Sequence, residues 1–246
     1  MKKVFSVLLT LLVLLSLATA PAMAAEGTSL LWDIPYGVDA ATFTELALKN
    51  ANVTVQPSTE PLMENISDWL ILAPDAKVTF LGQTVAKGDF RFIAAPADGS
   101  APVGGITGFD QGELTFALES PADVTAAIAL LTGAFNAAQG AYGAPELTLL
   151  TYSDGTGDAE TFRSLPLLKG EPDAGTLASA MEALDAGQYT LQFGTVALCL
   201  EREAGAYSVS VLFTAEPTFD VTMFSDAPAY SAAHATKTDS LQVGAA

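Results

Sequence analysis

The chain has 246 residues, 28 of them acidic and 10 basic, a net charge of −18, and half its residues are apolar. The apolar share excludes wholesale disorder, and the acidity excludes binding to nucleic acid or anionic lipid, which needs clustered Lys or Arg. A single cysteine, Cys199, leaves no intramolecular disulfide, so the core must hold by burial, and Cys199 reads as a small buried apolar residue.

Lys2 and Lys3 precede an apolar run from Val4 to about Leu17, closed by Ala22, Met23 and Ala24. Charge, apolar core and small-residue cleavage site are the three parts of an export signal. The run is shorter than the roughly 20 residues a membrane span needs. Residues 1–24 are therefore expected to be a signal peptide and 25–225 a secreted domain, with no membrane span after cleavage. The leader carries two of the basic residues and none of the acidic ones, so the remainder balances 8 basic against 28 acidic side chains.

Trp32, Ile34 and Tyr36 alternate in an extended lead-in broken by Pro35. The two amphipathic aromatics, Trp32 and Tyr36, are candidate ligand or partner contacts, with the rim of the core as the alternative. Asp39 suits a helix N-cap, with Val38 and Phe43 placed as a hydrophobic staple. Phe43, Leu46 and Ala47 share a face, and the helix should end near Lys49 to Asn52.

Strand signals follow at Val53 and Val55 and at Trp69 to Ala73. Residues 77–95 read as a hairpin turning at Ala86 to Asp89, and after a glycine-rich loop Leu114, Phe116 and Leu118 alternate in a further strand. The longest helix is expected from Ser120 as cap, with Pro121 at its first position and Asp123 in its first turn, to Gly140 as its stop. Val124, Ile128, Leu131 and Phe135 form its apolar stripe. Residues 146–153 read as a strand, and a third helix starts at about Asp173, with Leu177, Met181 and Leu184 inward and Gly187 at its end.

The alternation over 188–203 changes phase: Tyr189, Leu191 and Phe193 are odd-numbered, whereas Val196, Leu198 and Leu200 are even. One continuous strand cannot put both sets on one face, which predicts a bulge or a break at Gly194. Tyr207 to Phe213 alternates again, and 226–246 lacks periodicity and reads as a mobile tail. This order favours an α+β fold: an antiparallel meandering sheet with about three helices packed on one face. Residues 32–119 and 120–216 are candidate similar halves.

The capped helix in "YGVDAATFTEL", the meander after it, the second long helix, "AYGAPEL" and the terminal paired strands resemble uncharacterised exported proteins of Gram-positive anaerobes. The layout is also similar to tandem helix-plus-sheet domains of β-lactamase-inhibitor-like and outer-membrane-assembly-lipoprotein-like proteins. That resemblance implies binding of other proteins through an exposed sheet face. It transfers no functional residue, and the lipoprotein cysteine of such relatives is missing.

Catalytic signatures are sparse. The only histidine, His234, falls in the expected tail, and no G-x-S-x-G elbow, H-E-x-x-H pair or Walker-type phosphate loop occurs. Asp154, Thr156, Asp158 and Glu160 stand on alternate positions and could offer oxygens to Ca²⁺, with Asp154, Asp158 and Glu160 as the candidate metal ligands. Ala159, however, replaces the turn glycine of an EF-hand loop, and Leu165 replaces its bidentate Glu. The acceptor patterns at Asn52 and Asn65 read as incidental beside a bacterial-looking leader. No catalytic or cofactor-binding residue is assigned. The expected function is a secreted, non-enzymatic domain that binds another extracellular or envelope protein. Alternatives are a secreted, glycosidase-like hydrolase using a carboxylate pair and a calcium-binding surface protein.

Overall fold

The computed structural model describes residues 30–60, 62, 65–100, 102, 105–153, 162–167, 174–182 and 186–217. The expected leader, the acidic stretch with Asp154, Asp158 and Glu160, Leu184, His234 and the expected tail lie outside the described residues. Among the described residues the fold is α+β, with three helices and a meandering antiparallel sheet. The elements in chain order are α1 (Ala40–Ala51), β1 (Val55–Pro57), β2 (Ile66–Leu72), β3 (Thr79–Phe80), β4 (Gln83–Ile93) and β5 (Gly108–Phe116). After these come α2 (Val124–Tyr142), β6 (Leu147–Ser153), β7 (Phe162–Leu167), α3 (Ala174–Glu182), β8 (Gly187–Phe193), β9 (Val196–Glu203) and β10 (Ala206–Thr214).

Nine strands follow one path, β1-β2-β4-β5-β10-β9-β8-β6-β7, and β3 pairs off it with β4. A repeated order of elements is visible: α1 is followed by β1, β2, β4 and β5, which pair in chain order. Likewise α2 is followed by β6, β8, β9 and β10, with β7 and α3 inserted. The described residues form two compact units that do not coincide with these halves: residues 30–76, 88–112 and 213–217 make one, and 77–87 with 113–212 the other. Strands β4, β5 and β10 contribute residues to both.

In the first unit α1 forms because Asp39 accepts from Thr42 N–H at 2.7 Å and Asn52 ends it in the left-handed region, donating its N–H to Leu48 O. Phe43 is the pin of this core. Its ring lies 4.9 Å from Phe90, 5.5 Å from Phe92 and 4.7 Å from Phe109, so these three side chains mark the sheet face that α1 covers. The segment before α1 is not the extended lead-in its alternation suggests. Trp32 and Asp33 both take left-handed φ, 53° and 56°, in a turn closed by Ile34 N–H to Leu31 O. Gly37 and Val38 then pair with the start of β5, Gly37 N–H donating to Phe109 O and Phe109 N–H to Val38 O, each at 2.8 Å. A Cβ on Gly108, whose φ is +83°, would stand 2.4 Å from Gly37 O, so only glycine permits this approach.

In the second unit Phe193 of β8 meets Phe135 of α2 at 6.2 Å, and α3 packs on α2. Leu177 and Met181 of α3 are buried. The cap of α2 is Asp123 rather than Ser120: its carboxylate accepts from Thr125 and Ala126 N–H, while Ser120 C=O accepts from Asp123 N–H in a turn before the helix. The helix also runs past Gly140 to Tyr142, whose ring lies 6.3 Å from Phe193, and closes at Gly143, φ 86°. Tertiary burial there outweighs the glycine penalty of about 1 kcal/mol. Gly187 opens β8 instead of ending α3.

The break expected at Gly194 is present. Gly194, φ 63°, and Thr195 form a two-residue hairpin turn, and Phe193 pairs with Val196, which places the odd set of β8 and the even set of β9 on one face. The hairpin at 77–95 turns elsewhere than expected, at Leu81 and Gly82, both left-handed, and Ala86 to Asp89 lie inside β4. Exposed Ala86 and Lys87 are adjacent, with Val85 and Gly88 buried to either side, so the "AKGD" signal marks a phase shift within the strand. Strand β5 ends at Phe116, leaving Leu118 outside it.

Candidate functional site

Arg91 sits between Phe90 and Phe92, whose rings face α1, so by the two-residue period of a strand its side chain points to the opposite side of the sheet. The β2–β4 register sets Trp69 opposite Arg91 and Ile71 opposite Asp89, which carries both β2 side chains to the same side. Ile93, two residues beyond Arg91, joins them. On this face Trp69, Ile71 and Ile93 are each half-buried.

Arg91 grips Asp110 of β5 through two parallel bonds, Nε to Oδ1 at 3.0 Å and Nη2 to Oδ2 at 2.5 Å. Such a fork fixes both orientation and distance. Their side chains keep 23% and 14% exposure, too little for water to screen the pair fully. Burial pushes the Asp110 carboxyl above its ordinary range, and the hydrogen bonds and charge of Arg91 pull it down without cancelling that push. The Trp69 Nε1 is buried and has no hydrogen-bond acceptor among the described residues, a cost the free chain carries. The result is a rigid, partly apolar surface with an aromatic and a locked guanidinium side by side.

Trp32 and Tyr36 are half-buried on the other side of the same unit. Trp32 tilts against Phe90 at 5.7 Å, its carbonyl accepting from Asn50 Nδ2, and Tyr36 stacks on Phe109 at 5.5 Å. Both rings therefore extend the α1 core, and the structure does not bring them to the face that holds Trp69. Asp154, Asp158 and Glu160 lie outside the described residues; within those residues no group of three or more His, Cys, Asp or Glu is spaced to hold a metal ion.

Trp69, Arg91 and Asp110 are the residues that sequence patterning passes over. "FRF" alternation does place Arg91 away from the core, but its partnership with Asp110 depends on how β4 and β5 align. No protein-family model, curated protein or solved structure matches the chain.

Proposed function

We propose that the chain is a secreted, non-enzymatic module that binds another extracellular or envelope protein through the sheet face bearing Trp69, Ile71, Arg91 and Ile93. One observation carries this: half-exposed Trp69, Ile71 and Ile93 surround a guanidinium fixed by Asp110, on a strand framework rather than a loop. Tryptophan and arginine dominate the residues whose loss costs most at protein interfaces, and preorganised side chains lose less entropy on docking. The export-type leader supports an extracellular setting, and the layout similarity to tandem helix-plus-sheet binding proteins supports use of a sheet face.

The test uses the purified chain, immobilised and exposed to envelope and medium fractions of the producing cell. Ile71→Arg and Ile93→Arg add bulk and charge to the face at half-exposed positions; Asn136→Arg adds them to the exposed side of α2. Melting curves confirm that each variant folds. A partner retained by the parent and Asn136→Arg chains, and lost by both isoleucine variants, supports the reading. Equal retention by all four chains overturns it.

A further inference from the structure

Helix α3 belongs to the unit of residues 77–87 and 113–212, and its own sequence does little to hold it. At nine residues it is shorter than the roughly 12 that an isolated helix needs in water, and Gly175, Thr176 and Ser179 are weak helix formers. Ser179 turns its hydroxyl back to Gly175 O at 3.0 Å, so that side chain closes on its own helix. No acidic residue stands in the first turn and no basic one in the last, which leaves both ends of the helix dipole unserved from within. The hold on α3 is therefore tertiary: Leu177 and Met181 are buried, and the helix packs on α2.

The charge that its C-terminal end lacks arrives from β9. Arg202 Nη1 donates to the carbonyls of Met181 and Glu182 at 2.7 Å each, two of the four that the end of a helix leaves without an intrahelical donor. Gly187, paired with Arg202 in the β8–β9 register, has no side chain to stand between the guanidinium and the helix end. The guanidinium carbon also lies 5.6 Å from the centre of the Tyr207 ring in β10, within range of a cation–π contact. Tyr207 is buried, and its N–H donates to Pro121 O at 2.6 Å, just before α2. One side chain thus ties the end of α3 to a strand that is itself fixed to the lead-in of α2. In a chain with 28 acidic and 10 basic side chains, a half-buried cation committed to backbone carbonyls serves structure, not solubility.

We propose that α3 is a strap closed over this unit by Arg202, and that it opens by itself, with the sheet intact, when that contact breaks. The sheet beneath is held differently. Leu191, Val196, Leu198, Leu200, Val209 and Val211 of β8, β9 and β10 are buried, and each of these strands pairs on both edges. The strap rests on Leu177, Met181 and the Arg202 contact. Elements with few buried contacts open at lower free energy than the core that carries them. Loss of the guanidinium leaves two carbonyls without their donor and the helix end without its counter-charge, which shifts the strap toward its open form. Opening uncovers Leu177, Met181 and the part of α2 on which α3 packs, an apolar surface that the closed form hides.

Native-state hydrogen exchange of the full chain tests the strap. In the parent, the amides of residues 178–182 should exchange at least about 100-fold faster than those of Leu198 and Leu200, and should respond weakly to low urea because their opening exposes little surface. Arg202→Met keeps the stem and removes the donors. It should speed exchange of the α3 amides by a further factor of about 10 to 100, the range that hydrogen bonds from a charged group correspond to, and leave the amides of Leu198 and Leu200 unchanged. Arg202→Lys, which keeps a point charge without the fork, should restore part of that protection. Exchange of α3 and β9 at one rate with one urea dependence in the parent overturns the strap, and that reading needs no variant to fold. An Arg202→Met chain in which α3 and β9 speed up equally, or in which α3 does not speed up, overturns it as well.

Discussion

Arg91 and Asp110 show what a half-buried ion pair does for a strand face. The upward push on Asp110 means that desolvation exceeds what the guanidinium returns, so the pair supplies orientation more than stability. Removing one partner is then worse than removing both. Arg91→Leu should destabilise the chain by about 3 kcal/mol, the low end for a broken buried pair because the Arg91 side chain keeps 23% exposure. The double variant Arg91→Leu with Asp110→Leu should recover most of that loss, as two apolar residues leave no buried charge unpaired. Urea denaturation of the two single variants and the double variant measures the cycle. Additive losses would mean that the carboxylate and guanidinium do not sense one another.

Elements were legible where a single local device decides them. Asp39 and Asn52 bracket α1 as their side chains and backbone preferences require, and the phase change at Gly194 announces the β8–β9 hairpin. Elements were missed where context overrides the local device. Leu81 occupies a left-handed turn position that its side chain disfavours, so the β3–β4 turn carries no recognisable signal, whereas "AKGD" carries one and lies within a strand. Strand β7 contains Pro166, tolerated at the end of the strand path, where among the described residues the strand pairs with β6 alone. The face that holds Trp69, Ile71 and Ile93 was illegible for the same reason that Arg91 and Asp110 could not be paired: alignment between strands distant in sequence is a tertiary property. Helix α2 offers a direct test of which local device acts. Loss of the Asp123 carboxylate, which accepts two N–H groups at the helix start, should cost about 1 kcal/mol on Asp123→Ala, lowering Tm by about 2–4 °C. Ser120 engages only through its backbone carbonyl among the described contacts, so Ser120→Ala should change stability by less than about 0.5 kcal/mol. Thermal melts reversing that order would return the cap to Ser120.

The whole molecule carries 28 acidic side chains against 10 basic ones, and the folded state brings those charges closer together than the unfolded chain does. Self-repulsion of this kind is screened once the Debye length falls to about 10 Å, near 0.1 M salt. Raising NaCl from low concentration to about 0.3 M at pH 8 should therefore increase Tm by about 2–4 °C, the shift roughly 1 kcal/mol produces in a chain of this size. Salt also strengthens apolar burial, and that effect raises Tm too, but it does not depend on ionised carboxyls. Repeating the titration near pH 4 separates them. Most carboxyls are then neutral or close to it, the repulsive part vanishes, and the increase should shrink to the apolar part alone. The Arg91–Asp110 pair works against the trend, since salt weakens attraction as well as repulsion. With exposures of 23% and 14% it is screened little, and one such pair does not offset an excess of 18 negative charges. An increase of equal size at both pH values would assign the salt response to burial and leave the excess charge without a measurable cost in the folded state.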